Sequence, residues 1–559
     1  MGAMKTPGVY IVEKNAFPNS VVEVATAVPA FIGHTQFAET RKDKKDLVNK
    51  PWKISSMVEF QQYFGGGPDP KFGISQINAT VDNKDPVTPE APDGTAAPDG
   101  TENQDGTAAP AAAKEAAPAT GPEDLTDSDF NFDKKGYRLK LEQGNYLLYY
   151  CMKLFYQNGG GPCYIVSVGG YEQKLEAQTL TKGIDLLIKE QEPTMVIIPE
   201  AVLLDDKNCI SVQQAALQHC GDKMRNRITI LDIHKGYKDR KDLSADPDKG
   251  EKEGSCIDNF RNALGINFLK FSAAYYPWIN TTIIQDTDLG FENFTDEARK
   301  TLLALIETEK GISQASADDP KKAQMALELK KMIDPDLDAD EKSLLNTTLV
   351  ENSALFKSIL DEIKTKLNLL PPSSAMAGIY TMVDNSRGVW KAPANVSLNS
   401  VVSPSVNITH DDQEDLNVTP QGKSINAIRT FIGEGTLVWG GRTLDGNSLD
   451  WRYIQVRRTM IMLEESIKLA TKAYVFENNV ANTWVTIKSM IRNFLTGIWK
   501  RGGLAGASPD DAFSVHVGLG ETMTGDDILE GILRVTVLVA LIRPAEFIEI
   551  TFQQQMQKS

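Results

Sequence analysis

Short apolar runs bounded by polar residues recur through the first half of the chain. They include CYIVSV at residues 163–168, TMVII at 194–198 and RITILDI at 227–233. Their length is typical of strands buried on both faces. Helical patterns separate them, for example at residues 212–220. This alternation predicts an α/β or mixed α+β fold.

The last third of the chain has the clearest periodicity. Residues 459–476 and 482–498 predict two helices, and the glycines at 502 and 503 predict where the second one stops. Residues 513–519 predict a strand, 526–531 a helix and 533–542 an apolar strand. The second long helix carries apolar residues at spacings of three and four, namely Trp484, Ile487, Ile491, Phe494 and Ile498.

Both termini have strand patterns. Residues 5–14 (KTPGVYIVEK) are β-prone, and residues 546–556 alternate with Ile548, Ile550 and Phe552 on one face. A terminal strand needs a sheet edge for its backbone hydrogen-bonding groups. The residues alone leave two alternatives open, which are pairing within the terminus's own domain and pairing elsewhere.

Two stretches in the middle differ from the rest. Residues 80–130 are rich in Ala, Pro, Gly, Thr, Asp and Glu, repeat Asp-Gly-Thr three times, and contain few bulky apolar residues. This composition predicts a flexible acidic insertion at the surface. Residues 295–370 are rich in Lys and Glu and predict helices, interrupted at Pro320 and Pro335 and ended at Pro371.

Charge is distributed unevenly along the 559 residues. The chain has 59 Lys and Arg against 75 Asp and Glu, a formal net charge of -16. Residues 80–130 account for -10 of it, whereas residues 452–501 carry +6. The acidic excess argues against a general nucleic-acid binder and against attraction to an anionic membrane surface.

The cysteines and the apolar runs predict the compartment. Five cysteines without CxxC spacing indicate reduced thiols in a cytosolic protein. We find no amino-terminal leader pattern and no apolar run of the length of a spanning helix, so direct membrane insertion is not expected.

The sequence lacks the common catalytic and cofactor-binding motifs. The sequence has no GxxxxGK[ST], GxSxG, HExxH or strand-linked GxGxxG. Residues 334–340 resemble a calcium loop, but Ala339 replaces its glycine and Leu345 its closing glutamate, so an acidic helix start is favoured. His219 next to Cys220 is a weak zinc candidate. Residues 170–370 also lack a nucleophile and a base at recognisable spacing. We therefore predict that the protein is not an enzyme and has no cofactor and no metal.

Five blocks of sequence, in order along nearly the whole chain, resemble contractile tail sheath proteins. They are TPGVYIVE at 6–13, FYQNGGGPCYIV at 155–166, AYYPWI at 274–279, PPSSAMAGIY at 371–380 followed by RGVWKAPAN at 387–395, and WRYIQVRR at 451–458 leading into EES at 464–466. The insertion at 80–130 and the long helical stretch at 295–370 depart from the common pattern. The layout in one chain looks more like a phage or extracellular injection sheath than the two-protein type VI version.

The resemblance implies an arrangement of domains. Residues 1–24 would form an amino-terminal β-arm, 25–372 the outer α/β part with the insertion and the helical segment, 373–545 the inner sheath domain, and 546–559 a carboxy-terminal β-arm. In this family both arms reach into neighbouring subunits and complete a shared sheet. The matching arm residues here are Pro7, Gly8, Val9, Tyr10, Ile11, Val12, Phe547, Ile548, Ile550 and Phe552.

The resemblance also implies a function and partners. The subunit would polymerise as stacked six-fold rings around an inner tube and contract to drive that tube through a target envelope. An alternative is a minor paralogue that forms only a baseplate-proximal or terminal ring. Expected partners are further copies of itself, the inner tube protein, and baseplate and tail-terminator or cap proteins, with no nucleic acid.

Assembly would take place in the cytoplasm, and the product would be a phage tail or an extracellular or cell-associated injection particle. The candidates for the inner-tube contact are Lys488, Arg492, Lys500 and Arg501, and an ordinary solvated face or contacts between sheath subunits are the alternatives for them.

Overall fold

The computed structural model describes residues 21–77, 128–242, 254–312 and 320–550. The chain divides into two compact units. The first unit contains the described parts of residues 1–69, 144–288 and 364–559, and the second contains those of 70–143 and 289–363.

The described residues form seventeen strands. They are β1 (Pro29–Thr35), β2 (Trp52–Ile54), β3 (Lys71–Gln76), β4 (Phe130–Phe132), β5 (Lys135–Gln143), β6 (Cys163–Gly170), β7 (Met195–Ile197), β8 (Ile228–Asp232), β9 (Ser272–Tyr276), β10 (Ile279–Thr281), β11 (Leu369–Leu370), β12 (Val396–Ser397), β13 (Val401–Pro404), β14 (Asn426–Phe431), β15 (Gly435–Trp439), β16 (Phe513–His516) and β17 (Thr536–Val539).

The same residues form fifteen α-helices. They are α1 (Met57–Phe64), α2 (Leu148–Gln157), α3 (Ala177–Leu186), α4 (Asp206–Gln218), α5 (Cys256–Ala263), α6 (Asp296–Glu309), α7 (Pro320–Lys330), α8 (Ala339–Asn352), α9 (Ala354–Leu367), α10 (Ser373–Arg387), α11 (His410–Asn417), α12 (Ile454–Thr471), α13 (Ala481–Lys500), α14 (Pro509–Ala512) and α15 (Gly525–Leu529).

A nine-stranded sheet organises the first unit. Its order is β12-β15-β14-β9-β8-β7-β1-β6-β2, and strands β6, β1, β7, β8 and β9 run parallel. Every residue of β1, β7, β8 and β9 is buried. Parallel strands are covered by helices on both faces, which explains why these strands are nearly continuous apolar runs in the sequence. The mixed α/β fold predicted from that pattern is confirmed.

Helices cover the two faces of this sheet. Phe31 of β1 contacts Phe155 of α2, with ring centroids 5.0 Å apart. Its neighbour Ile32 points to the opposite face, where its methyl group lies 2.6 Å from the position that a Cβ on Gly183 of α3 would take. On the α2 face, a Cβ at Gly378 of α10 would lie 2.6 Å from the carbonyl oxygen of Phe155. Only glycine allows these close approaches.

A second core in the first unit lies under α12 and α13. Buried residues of α13 recur at Ile487, Met490, Ile491, Leu495 and Ile498, as the predicted helical spacing requires. The helix ends where predicted, since Gly502 has φ +79 and its backbone N–H donates to Trp499. Antiparallel β16 and β17 pack on this helix, and β17 covers only the middle of the predicted strand at 533–542.

The second unit combines a small antiparallel sheet, β3-β5-β4, with helices α6 to α8 and with α9 as far as Ile363. Phe72, Phe294 and Phe356 are among its fully buried side chains. The predicted helical stretch is confirmed, with a break before α7 at Pro320 and another at Pro335. The acidic segment 334–340 begins a helix: the Asp338 carboxylate accepts from the backbone N–H of Glu341 at 2.8 Å, in a capping box.

Two further predictions are only partly covered by the described residues. Most of the predicted acidic insertion, residues 80–127, lies outside them, and its last residue, Phe130, begins β4. The predicted boundary at residue 373 separates an outer from an inner layer of an assembly. A single chain has no such layers, so this boundary stays a prediction. No helix among the described residues has the length and apolar character needed to cross a membrane.

Candidate assembly surface

The carboxy-terminal arm begins at a cluster of side chains around Glu546. Arg442 donates from Nε to Glu546 Oε1 at 2.9 Å and from Nη2 to Oε2 at 2.7 Å. Tyr453 donates from its hydroxyl to Oε2 at 3.0 Å, and Asn417 donates from Nδ2 to Oε1 at 2.9 Å. A forked pair of this kind fixes orientation as well as distance. We call these four residues the Glu546 cluster.

The electrostatics of Glu546 suit a fixed carboxylate. Burial by itself would raise its pKa, but the hydrogen bonds from Arg442 and Asn417, the charge of Arg442 and the hydroxyl of Tyr453 together hold the pKa below its ordinary value. Glu546 therefore stays ionised at neutral pH, with its partner Arg442 almost completely buried.

Beyond Glu546 the chain exposes apolar side chains. Phe547, Ile548 and Ile550 are 74%, 78% and 70% exposed. Within the described part of the chain, residues 546–550 are in no strand, so the strand predicted there is not formed by pairing within this chain. Phe552 lies outside the described residues. Runs of exposed bulky apolar residues are typical of interaction surfaces.

The amino-terminal arm residues Pro7 to Val12 also lie outside the described residues, and the description starts at the root of that arm. Thr26 donates from Oγ1 to Asp384 Oδ2 at 2.6 Å, and its carbonyl oxygen accepts from Arg458 Nη2 at 3.0 Å. Upstream, the backbone N–H of Val24 donates to Ser466 Oγ at 3.1 Å. These contacts attach the root to α10 and α12.

Asp384 and Arg458 form the anchor of this root. Arg458 donates to both oxygens of Asp384, from Nη1 at 2.9 Å and from Nη2 at 2.6 Å, and the two side chains are 4% and 2% exposed. The guanidinium also lies 4.7 Å from the ring centroid of Tyr380. We call Asp384, Arg458 and Thr26 the Asp384 cluster. The described roots of the two predicted arms thus each lie beside a forked arginine–carboxylate pair.

A two-stranded sheet in the same unit provides strand edges. Strands β16 and β17 pair from Phe513 with Val539 to His516 with Thr536. Within the described ranges neither strand has a second partner in a ladder, so each keeps one unpaired edge. Leu538 is 59% exposed on the face of β17 that points away from the core. Such edges accept additional strands.

The four predicted inner-tube residues lie on or just after α13, and they differ in their surroundings. Lys488 pairs with Glu521 at 3.5 Å and Arg492 with Asp510 at 3.2 Å. Arg501 pairs with Glu23 and lies over the Trp390 ring. Lys500 is exposed, and it has no ion-pair partner among the residues that the structure describes. The structure does not bring the four together as one free basic patch, and their contact with a tube stays a prediction.

The carboxyl ends of the parallel strands, where ligands bind in doubly wound sheets, hold side chains of this chain. Asp232 ends β8 and accepts from the backbone N–H of Ser373, the first residue of α10, at 2.8 Å. Glu200 follows β7, accepts from the first N–H of α2 at Leu148 (3.3 Å), and pairs with His34 at 2.8 Å. Helix N-termini of this kind bind phosphate in nucleotide-binding folds. Here two buried carboxylates occupy both of them.

Other candidate chemistry is also accounted for. Among the described residues no three His, Cys, Asp or Glu side chains come together as a metal site. His219 is buried beside Arg227, and burial followed by that positive charge lowers its pKa to about 4, so it is neutral inside the fold. A cavity of about 900 Å³ opens at the opposite, amino ends of β7 and β8, and residues from both the amino-terminal root and α12 line it.

The carboxy-terminal part of the chain is similar to known proteins. Residues 447–555, which contain α12, α13, the two-stranded sheet and Glu546, match the phage tail sheath C-terminal domain. The tail sheath protein of Salmonella phage ViI is 25% identical over 149 residues, 26% of this chain and 23% of that protein. The chain is homologous to contractile tail sheath proteins.

The curated relative matches only 26% of this sheath homologue, whereas solved structures are similar to it over nearly its whole length. A chain of the helical sheath of the anti-feeding prophage in the contracted state has 24% identity and a TM-score of 0.54, covering 99% of this chain and 100% of that one. A chain of the PVC extracellular contractile injection system, in its contracted sheath complex, has 23% identity and a TM-score of 0.53, covering 100% and 99%. The sheath homologue shares their fold.

The sequence pattern points to some of these residues and gives no sign of others. Arg458 lies in a block that carried the resemblance, but its partner Asp384 was not singled out. Glu546 was recognised only as the start of an alternating segment, and Arg442 had no signal at all. An isolated arginine or glutamate in a polar stretch is normally a solvated surface residue, so only the fold shows that these are buried partners.

Proposed function

We propose that this chain is the structural subunit of a contractile sheath, which polymerises as stacked six-fold rings around an inner tube and shortens to drive that tube through an envelope. The observation that carries the proposal is the exposed apolar segment 547–550, which leaves a fixed root in the same unit as a two-stranded sheet with unpaired edges. An arm of one copy that pairs with such an edge of another copy links neighbouring subunits.

Backbone pairing is suited to a mesh that must shorten without coming apart. An arm that forms about six hydrogen bonds, at roughly 0.5 to 1.5 kcal/mol each, contributes several kcal/mol at every node of the lattice. Each root is held by hydrogen bonds to its own fold, so an arm stays attached to its subunit while its strand stays paired with the neighbouring copy.

A non-enzymatic role agrees with the filled crevice at the carboxyl ends of the sheet. The two helix N-termini that could bind a phosphate group are occupied by Glu200 and Asp232. Work done by a lattice that falls from one packing to a more stable one requires no bound nucleotide in the subunit.

The partners follow from the same proposal. They are further copies of this chain, an inner tube protein, baseplate proteins and a tail-terminator or cap protein. For the tube contact we propose Lys488, Arg492, Lys500 and Arg501, with Lys500 available without exchanging a partner and the other three exchanging their present carboxylates. Assembly in the cytoplasm precedes function in a phage tail or an extracellular injection particle.

Truncation of the carboxy-terminal arm tests the proposal. Removal of residues 547–559 is expected to abolish tubes in electron micrographs of the purified protein while leaving a monomer with an unchanged circular dichroism spectrum, because these residues begin beyond the Glu546 cluster. The matched control is Glu549→Gln, which changes one exposed residue of the arm and should leave tubes intact. Normal tubes from the truncated chain would refute the role of the arm.

The alternative, a minor paralogue that forms a single ring, is separated by the same micrographs. The full-length chain is expected to form long tubes, and rings that do not extend even at high protein concentration would favour the alternative. Attachment of the particle to a DNA-filled head would then distinguish a phage tail from an injection system.

A further inference from the structure

We infer that the Glu546 cluster sets the direction in which the carboxy-terminal arm leaves the subunit, so that the arm is presented to a second copy of this chain in a restricted orientation. This inference rests on the proposed function and adds to it a positioning site within the subunit. The partner is the strand edge of another copy, and the positioning residue is Glu546.

The first argument is the number and geometry of the contacts at a single residue. Glu546 accepts five hydrogen bonds of 2.7 to 3.2 Å from three side chains, three of them from the planar fork of Arg442. The next residues, Phe547 and Ile548, are more than 70% exposed. The transition from a fully held carboxylate to exposed apolar side chains takes place within one residue.

The second argument is that the cluster itself is fixed to the central sheet. The backbone N–H of Arg442 donates to Asn426 Oδ1 at 2.7 Å, and Asn426 Nδ2 donates to the carbonyl oxygens of Arg442 at 2.8 Å and Ala274 at 3.1 Å. Asn426 begins β14 and Ala274 lies in β9. A pull on the arm is therefore transmitted through Glu546 to buried strands of the nine-stranded sheet.

The third argument compares the arm with and without the cluster. The last backbone bridge before the arm joins Leu541 to Leu504. If Glu546 were released, the nearest backbone bridge would lie at residue 541, and the ion pair that follows it, Arg543 with Asp450 at 3.6 Å, is solvent-exposed and holds the chain only weakly. Holding the root removes orientations that the arm must otherwise lose on binding, and such preorganisation strengthens association without adding a contact.

The first test measures the arm in the unassembled protein. A nitroxide is attached at Ile550→Cys, where labelling is selective because all five native cysteines are buried. In this background Glu546→Gln is expected to increase the mobility of the label in its electron paramagnetic resonance spectrum, and Tyr453→Phe, which removes one hydrogen bond, to increase it less. The matched control Glu549→Gln should leave the spectrum unchanged.

The second test measures assembly of the unlabelled chain. Glu546→Gln is expected to raise the protein concentration for half-maximal tube formation at least threefold by light scattering, with Glu549→Gln at the wild-type value. If Glu546→Gln lowers the melting temperature and leaves the mobility of the label unchanged, the cluster only stabilises the fold and the inference is wrong. A mobile label combined with an unchanged assembly concentration also overturns it.

Failure of the proposed function gives a different result. If the wild-type chain forms no tubes under any condition, the proposal of a sheath subunit fails, whatever the label shows. If the wild type forms tubes and Glu546→Gln matches it in both tests, the sheath proposal stands and the positioning role of Glu546 is refuted.

Discussion

The Asp384 cluster allows a quantitative prediction about the root of the amino-terminal arm. Asp384→Asn keeps the shape of the side chain and removes its charge. Arg458 then remains buried, at 4% exposure, without the carboxylate that now accepts two of its N–H groups at 2.9 and 2.6 Å. Breaking a buried pair on one side costs about 3 to 5 kcal/mol, because the remaining charge is neither solvated nor compensated.

The assay is chemical unfolding followed by tryptophan fluorescence, with a surface pair as control. Lys364 and Asp286 lie 2.6 Å apart, but their side chains are 32% and 79% exposed. Solvent screens such a pair, so Asp286→Asn should lower the free energy of unfolding by less than about 1 kcal/mol. Asp384→Asn should lower it by at least three times as much.

A local measurement shows whether the loss acts through the root. Thr26 loses a charged acceptor in Asp384→Asn, so the peptide containing residues 21–28 should exchange its amide hydrogens faster in mass spectrometry, whereas Asp286→Asn should not change it. The reasoning would be refuted by a loss below about 1 kcal/mol for Asp384→Asn, or by unchanged exchange in that peptide.

Two further predictions concern buried groups of the same unit. Burial raises the pKa of Asp232 to about 7 against the opposing hydrogen bonds from Ser373, so between about pH 4 and 7 the folded state holds a proton that the unfolded state releases, and stability should fall as pH rises through that window. In wild type this dependence should change the free energy of unfolding by on the order of a few kcal/mol between pH 4 and 8, and Asp232→Asn should remove it. Melting temperatures measured over the same pH range check this, and equal slopes for both proteins would contradict it. Burial also raises the pKa of Cys163, Cys220 and Cys256 to about 12, so a thiol reagent at pH 8 should modify none of the three in the native protein and all of them in denaturant, and rapid native labelling would contradict the buried positions.

The strands of the central sheet were predictable because their burial leaves a local trace. The apolar runs at 163–168, 194–198 and 227–233 became β6, β7 and β8, with bounds that differ by no more than two residues. A strand covered on both faces must be apolar throughout, whatever its neighbours are. The helix predicted at 482–498 became α13 at 481–500 for a similar reason, since its buried side has the helical period.

The strand predicted at 546–556 shows where local pattern is insufficient. Alternation of apolar residues indicates that a segment can form a strand, but it does not show which strand will pair with it. Within the described residues 546–550 this chain supplies no partner strand. The sequence leaves open whether this terminus pairs within its own domain or elsewhere. The exposure of residues 547–550 in the structure disfavours pairing of these residues within their own domain.

By itself the sequence determined the α/β class, the positions of the buried strands and long helices, and, through five blocks of sequence, the resemblance to sheath proteins. All of these depend on residues close together in the chain. Only the tertiary structure decided that Arg458 meets Asp384 across 74 residues and that Arg442 meets Glu546 across 104. A charged side chain in sequence looks like a solvated one, and its burial and its partner exist only once distant segments are packed against each other.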